Sequence, residues 1–126
     1  MRFLLETRYA DYDTKGHVNN AVYLTYFEIA RSRAWLDAVR QGADAPFILA
    51  EASVRFVSQA RLGEPLEIEI TTAEIRTKAW VWAYVVRCAS DGRVVAEGRT
   101  VQVMFDYETR RTVPIPADIR VRLETV

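Results

Sequence analysis

The amino-acid sequence predicts an α+β domain, a curved antiparallel five-stranded sheet wrapped around one long central helix. Two observations carry this expectation. The stretch from Ala21 to Arg40 contains neither Gly nor Pro, so one helix can run its whole length. The other periodic segments read as strands, one before the helix and four after it, the last four joined by short turns. Antiparallel strands with one segregated helix make the α+β pattern, and the economical packing folds the sheet around the helix.

Arg2 to Tyr9, RFLLETRY, is short and mixed and forms the opening strand. Asp11 to Gly16 reads as a turn, since Asp and Gly favour turn geometry. Asn19 or Asn20 is placed to cap the helix that follows. The first turns of that helix are apolar on most sides (Ala21, Val22, Tyr23, Leu24, Tyr26, Phe27, Ile29, Ala30), which predicts enclosure. Its later turns carry Arg31, Arg33, Asp37 and Arg40 and should emerge into solvent. Gln41-Gly42 supplies a stop signal.

In Ala50 to Val57, Ala50, Ala52, Val54 and Phe56 alternate with Glu51, Ser53 and Arg55, a strand with one inward face. Leu62-Gly63-Glu64-Pro65 is a turn. Leu66, Ile68 and Ile70 alternate with Glu67, Glu69 and Thr71, a half-exposed strand. Ala79 to Val86, AWVWAYVV, is almost wholly apolar and suits a central strand covered on both faces. Ser90-Asp91-Gly92 signals a hairpin, and Val94 to Phe105 returns as the last strand. Two prolines between Thr112 and Pro116 end the sheet, and Asp118 to Glu124 adds a short helix.

The 126 residues, half of them apolar, fit a single domain over 1–126 with a real core. Lys plus Arg and Asp plus Glu are 17 each, a balance that argues against nucleic acid and against a polybasic membrane anchor. Cys88 stands alone, so no intramolecular disulfide forms; in an apolar strand it reads as inert packing. No metal-ligand spacing occurs, and no cofactor is expected. The N-terminus lacks the apolar core of a signal peptide, and no apolar run spans a bilayer, so a cytoplasmic location is the expectation.

The chemistry concentrates in DYDTKGHVNN, Asp11 to Asn20, which includes the single histidine of the chain. The longer stretch RYADYDTKGHVNNAVYLTYFEIAR, Arg8 to Arg31, resembles the signature of the 4-hydroxybenzoyl-CoA thioesterase-like acyl-CoA thioesterases. It has the Asp, a two-residue gap, the Gly, an aromatic-rich helix start and a Tyr at Tyr23. The inner HVNN is also similar to plant-type acyl-ACP thioesterases. Downstream, ARLGEPLEIEI and VMFDYETRRTVPIPADIRVRLE resemble the family's turn-and-strand segment and its closing strand, proline turn and last helix. The resemblance covers nearly the whole chain, and its specific part is the signature within Arg8 to Arg31.

The resemblance implies the hotdog fold and hydrolysis of an acyl thioester. It also implies homodimers formed by joining sheets, pairing further into homotetramers, with active sites at the subunit interface near the helix N-terminus. There the thioester carbonyl faces a backbone amide. Asp13 matches the family's catalytic carboxylate, which acts as general base on water or attacks the carbonyl itself. Asn20 is the candidate oxyanion donor through its backbone N–H, with the helix dipole behind it. Gly16 lets the backbone approach the substrate closely.

His17 matches the histidine of the plant-type signature, in which Asp, a carboxamide and His alternate. Here those positions are Asp13, Lys15 and His17, so Lys15 stands where that signature has its carboxamide. Asn19 and Tyr23 complete the candidate binding residues beside the helix start. Asn19 and Asn20 serve equally as plain caps, Tyr23 and Tyr26 as packing against the sheet, and Asp11 as an ordinary turn residue. Glu28 reads as facing a polar or inter-subunit environment, and Glu51 is a candidate for reaching Asp13 across the interface.

For the coenzyme A phosphates, Arg76-Thr77-Lys78 in a turn between strands are candidates, with Arg55 and Arg61 behind them. Trp80, Trp82, Tyr26 and Phe56 are wall material for an acyl tunnel and equally ordinary core. Three functions fit: an acyl-CoA thioesterase, an acyl-ACP thioesterase using Arg110, Arg111, Arg120 and Arg122 toward an acidic carrier, or a non-catalytic acyl-CoA-binding protein of the same fold. A Ser-His-Asp hydrolase lacks its GxSxG.

Overall fold

The computed structural model describes residues 1–40 and 45–126. The predicted stop at Gln41-Gly42 lies outside the described residues. In chain order the elements are β1 (Arg2–Leu5), helix α1 (Val22–Ala34), β2 (Phe47–Phe56), β3 (Leu66–Ile75), β4 (Ala79–Cys88), β5 (Val94–Asp106), the two-residue β6 (Arg111–Thr112) and helix α2 (Ala117–Leu123). The sheet runs β1-β3-β4-β5-β2, with β6 pairing β5 off that path. Its pairs are all antiparallel. This is the expected five-stranded path, with β6 as a small addition where the sequence placed only the end of the sheet.

The sheet curls because three of its strand pairings carry a register shift, at Leu49/Glu51, at Thr72/Glu74 and at Val86/Arg87. Each such bulge adds local twist and bends its strand. The hollow is filled by α1, whose Tyr23, Tyr26, Phe27, Ala30, Arg31 and Ala34 face inward. Phe27 and Ala30 are fully enclosed. The ring of Phe27 stacks on Tyr84 at 4.4 Å between centroids. A Cβ added to Gly98 would run into that Phe27 ring, so Gly98 is what lets helix and sheet close at this point. Helical backbone continues past α1 as one π-helical turn, Trp35–Val39, so the run predicted from Ala21 to Arg40 is present with a widened last turn. There Trp35, Phe47, Trp80 and Trp82 pack as an aromatic cluster that closes this end of the core.

Expectations need correcting in the helix and in two strands. On α1, Arg31, expected in solvent, is buried on the inner face, while Leu24 and Ile29, expected to be enclosed, are exposed, because the sheet covers only one side of the helix. The strand AWVWAYVV lies mid-sheet as β4, but only its core-facing Trp80, Trp82, Tyr84 and Val86 are deeply enclosed; of its opposite face, Val81 is buried while Ala83 and Val85 stay half-exposed. In β2 the supposed inward set does not go inside: Ala50, Ala52 and Phe56 are exposed and Val54 half-buried. The alternation is present and its expected consequence is not, because β2 is the sheet's edge and extends beyond the cover that α1 provides.

Candidate active site

Between β1 and α1 the chain makes a one-turn 3-10 helix at Tyr9–Asp11 and then a tight hairpin. Tyr12 bridges Val18. The Asp13 N–H donates to the His17 carbonyl at 2.8 Å, and the Gly16 N–H to the Asp13 carbonyl at 3.0 Å. Asp13, Thr14, Lys15 and Gly16 are therefore the tip. Gly16 closes it with φ +74°, in the left-handed region that glycine enters at no steric cost. The predicted turn is thus a hairpin, and it is anchored on one side by the segment before β3. The Val18 N–H donates to Ala60 at 2.9 Å, the Leu62 N–H to Gly16 at 2.8 Å, and His17 bridges Arg61.

At the tip Asp13 is exposed. Its Oδ1 accepts the backbone N–H of Lys15 at 2.9 Å and of His17 at 3.1 Å. These two bonds, the one from His17 foremost, hold the carboxyl below the usual carboxylate value of 3.8. Asp13 is therefore an ionised carboxylate at neutral pH, fixed in direction by the backbone of its own hairpin. The His17 contact is through main chain: the imidazole is half-buried, and the carboxylate meets the His17 amide rather than its ring. Lys15 is exposed and also reaches Asp13 only through its backbone.

The hairpin runs straight into the helix. Asn19 does the capping: its Oδ1 accepts the Ala21 N–H at 3.0 Å and its carbonyl accepts the Val22 N–H at 2.9 Å. The Asn20 N–H has no acceptor among the described residues. It is one of the orphan donors that a helix start leaves open, with the positive end of the helix dipole behind it. A cavity of about 320 Å³ lies here, lined by Val18, Asn20, Tyr23, Phe56 and Gln59 among others. Tyr23 is 2 % exposed, its ring 5.7 Å from that of Phe56, and burial pushes its hydroxyl up to about 12. Asp13 lines a separate cavity of about 390 Å³ with Tyr9, Tyr12, Gly16 and Leu62.

Asp11, which the sequence left as a turn residue, is 1 % exposed. Oδ1 accepts Arg8 Nε at 3.1 Å and Nη2 at 2.9 Å, while Oδ2 accepts the Arg8 backbone N–H at 2.9 Å and the Tyr26 hydroxyl at 3.0 Å. Burial pushes this carboxyl up, but the Arg8 and Tyr26 donors outweigh it and leave the group below its ordinary value. The Tyr26 hydroxyl is pushed up in turn, by burial and by its bond to Asp11. A signal for Asp11 did exist in the sequence: a carboxylate beside an arginine three residues earlier, ahead of an enclosed helix.

Other candidates lie elsewhere. Arg76-Thr77-Lys78 join β3 to β4 at the end of the sheet away from the hairpin; β3 is ten residues long, about 33 Å of strand. Arg76 is paired with Glu74 at 2.9 Å. Glu51 lies with Ser53, Arg76 and Arg99 in a cavity on the outer face of the sheet, and Glu28 is exposed on α1. Arg55 and Arg61 are exposed. Arg120 is spent on the Arg76 carbonyl, while Arg110, Arg111 and Arg122 are exposed. Trp80 and Trp82 are sealed core, whereas Phe56 is 49 % exposed beside the helix start. Cys88 is buried against Ser90. Among the described residues no group of three or more His, Cys, Asp and Glu is arranged to hold a metal ion, and no helix is long and apolar enough to cross a membrane.

Comparison with known proteins bears on the family and the fold. A family model described as the thioesterase-like superfamily matches residues 7–123. The long-chain acyl-CoA thioesterase FadM of Escherichia coli is 25% identical over 132 residues, covering 98% of this chain and 97% of FadM. A thioesterase from Thermus thermophilus, solved in complex with coenzyme A and zinc, has a TM-score of 0.85 and 28% identity, over 97% of this chain and 95% of that one. A predicted thioesterase from Bacillus stearothermophilus has a TM-score of 0.90 and 25% identity, over 98% and 93% of the two chains.

Proposed function

The chain belongs to the thioesterase-like superfamily, a thioester hydrolase of hotdog fold, and from that premise we propose that it hydrolyses an acyl-CoA to free acid and coenzyme A at the junction of hairpin and helix. The observation that carries this is that one short loop holds both an ionised, backbone-held Asp13 and an Asn20 N–H with no acceptor among the described residues. The thioester carbonyl accepts the Asn20 N–H, and the dipole of α1 favours the negative oxygen that develops. A donor in this role is worth roughly 3 kcal/mol in other enzymes. Asp13 either takes a proton from the attacking water or adds to the carbonyl to give an anhydride that water then opens. In both routes the C–S bond breaks and coenzyme A leaves as its thiol. His17, on the same hairpin, is the candidate to assist through its ring, with Gly16, Asn19 and Tyr23 as candidates for shaping the entry.

The working unit in this reading is a homodimer, open to further pairing as a homotetramer. The edge strand β2 offers an unpaired backbone row flanked by exposed Leu49 (47 %), Phe56 (49 %) and Val57 (48 %), a template that a second copy can pair with. Antiparallel pairing along β2 sets the Phe47 end of one copy against the Phe56 end of the other. That brings the Arg76-Thr77-Lys78 turn of one copy toward the helix start of the other, where coenzyme A phosphates need donors.

The test is release of free thiol from a panel of acyl-CoAs, alongside matched acyl-carrier thioesters. Turnover of acyl-CoA is the expected result. Preference for the carrier substrates would move the substrate class. Tight binding of intact acyl-CoA without turnover would make this a binding protein.

A further inference from the structure

We infer that Asp11 is a positioning residue for this hydrolysis, setting the Asp13 hairpin against the start of α1 through Tyr26 and Arg8. The inference rests on the reading above and adds a residue that never touches substrate. All four acceptor contacts of its carboxylate are made within the protein, two to the Arg8 guanidinium, one to the Arg8 backbone and one to the Tyr26 hydroxyl. Its carbonyl takes the Asn19 N–H at 2.9 Å. One residue thus binds the incoming chain, the base of the hairpin and the body of the helix.

The lever is short. Asn19 is followed at once by Asn20, the proposed oxyanion donor, and Asp11 is followed two residues later by Asp13. Tyr26 sits six positions beyond Asn20, about 9 Å along the helix axis. An apolar side chain at position 11 would fill the same volume without directional bonds. A carboxylate with four donors fixes the angle between hairpin and helix, and hence the distance from the Asp13 carboxylate to the Asn20 N–H. Small displacements of this kind are expensive in rate, since about 1 Å of misplacement can cost on the order of 10²-fold.

The experiment compares Tyr26→Phe, Asp11→Asn and the double variant with wild type, in the intact chain, on the acyl-CoA that wild type turns over fastest. The expected result is a fall in kcat of roughly 10- to 100-fold with KM within about threefold. The double variant should be no slower than the slower single, because both act through one linkage. A merely structural carboxylate would lower Tm and leave kcat of the folded enzyme within about twofold of wild type in both singles; that result overturns the inference. A change in KM with kcat unchanged overturns it as well. Should Asp11→Asn not fold, Tyr26→Phe, which keeps its ring in place, decides alone. An inactive wild type overturns the thioesterase reading and the inference together, whereas an active wild type with unaffected variants overturns the inference alone.

Discussion

The Asp13 carboxylate is held by two backbone N–H groups and so keeps its charge to a pH below the ordinary carboxylate value. The activity needs that charge in either route. The acid limb of kcat/KM owed to Asp13 should therefore lie below 3.8, and a limb above that value in a pH–rate profile would contradict the assignment. Asp11 makes a matching statement about stability. Its folded-state pKa is depressed, so its contribution is present above the unfolded value of about 3.8 and is lost as pH falls through the folded one. Asp11→Asn should lower Tm at neutral pH and flatten the acid side of the stability profile, as thermal melts from pH 7 downward would show. The two carboxylates were not equally legible. The turn that holds Asp13 was legible because Gly16 and the helix start are local in sequence, while the role proposed for Asp13 came from the resemblance. For Asp11 only the Arg8 half was local; Tyr26, fifteen residues on, makes it more than a turn former.

At the scale of elements, α1 and the sheet meet most closely where Phe27 covers Gly98. Gly98→Ala should destabilise by about 1–3 kcal/mol, the usual cost of overpacking, measurable by urea unfolding; a neutral result would mean that the helix can lift off the sheet without penalty. The hairpin is a second such joint. Gly16 adopts φ +74° in open space, so any loss on substitution is backbone strain rather than a clash. Element order, the enclosed helix and the strand alternation were all legible in periodicity. Which strand would be the edge was not, because the inward set of β2, Ala50 to Phe56, carries the same pattern as a covered strand. Coverage depends on where α1 lies across the sheet, and that is set by Phe27, Gly98 and the aromatic cluster around Trp35.

For the whole molecule, the exposed apolar rim of β2 is the face through which the proposed dimer would pair. Light scattering should give a mass of at least twice the 14.5 kDa chain. Leu49→Lys, a charge on the pairing edge, should shift the protein toward monomer and lower activity with it; a fully active monomer would remove the interface from the account. The Arg76-Thr77-Lys78 turn shows why the sequence could suggest these residues without locating them: within one chain they stand at the far end of β3 from Asp13, and only the symmetry of an assembly would join the two. The most direct measurement is thiol release from an acyl-CoA panel by wild type and by Asp13→Asn, both confirmed as folded and of equal mass. The account expects turnover by wild type and a loss of roughly 10²–10⁴-fold in kcat for the variant; wild-type rates in Asp13→Asn would contradict it.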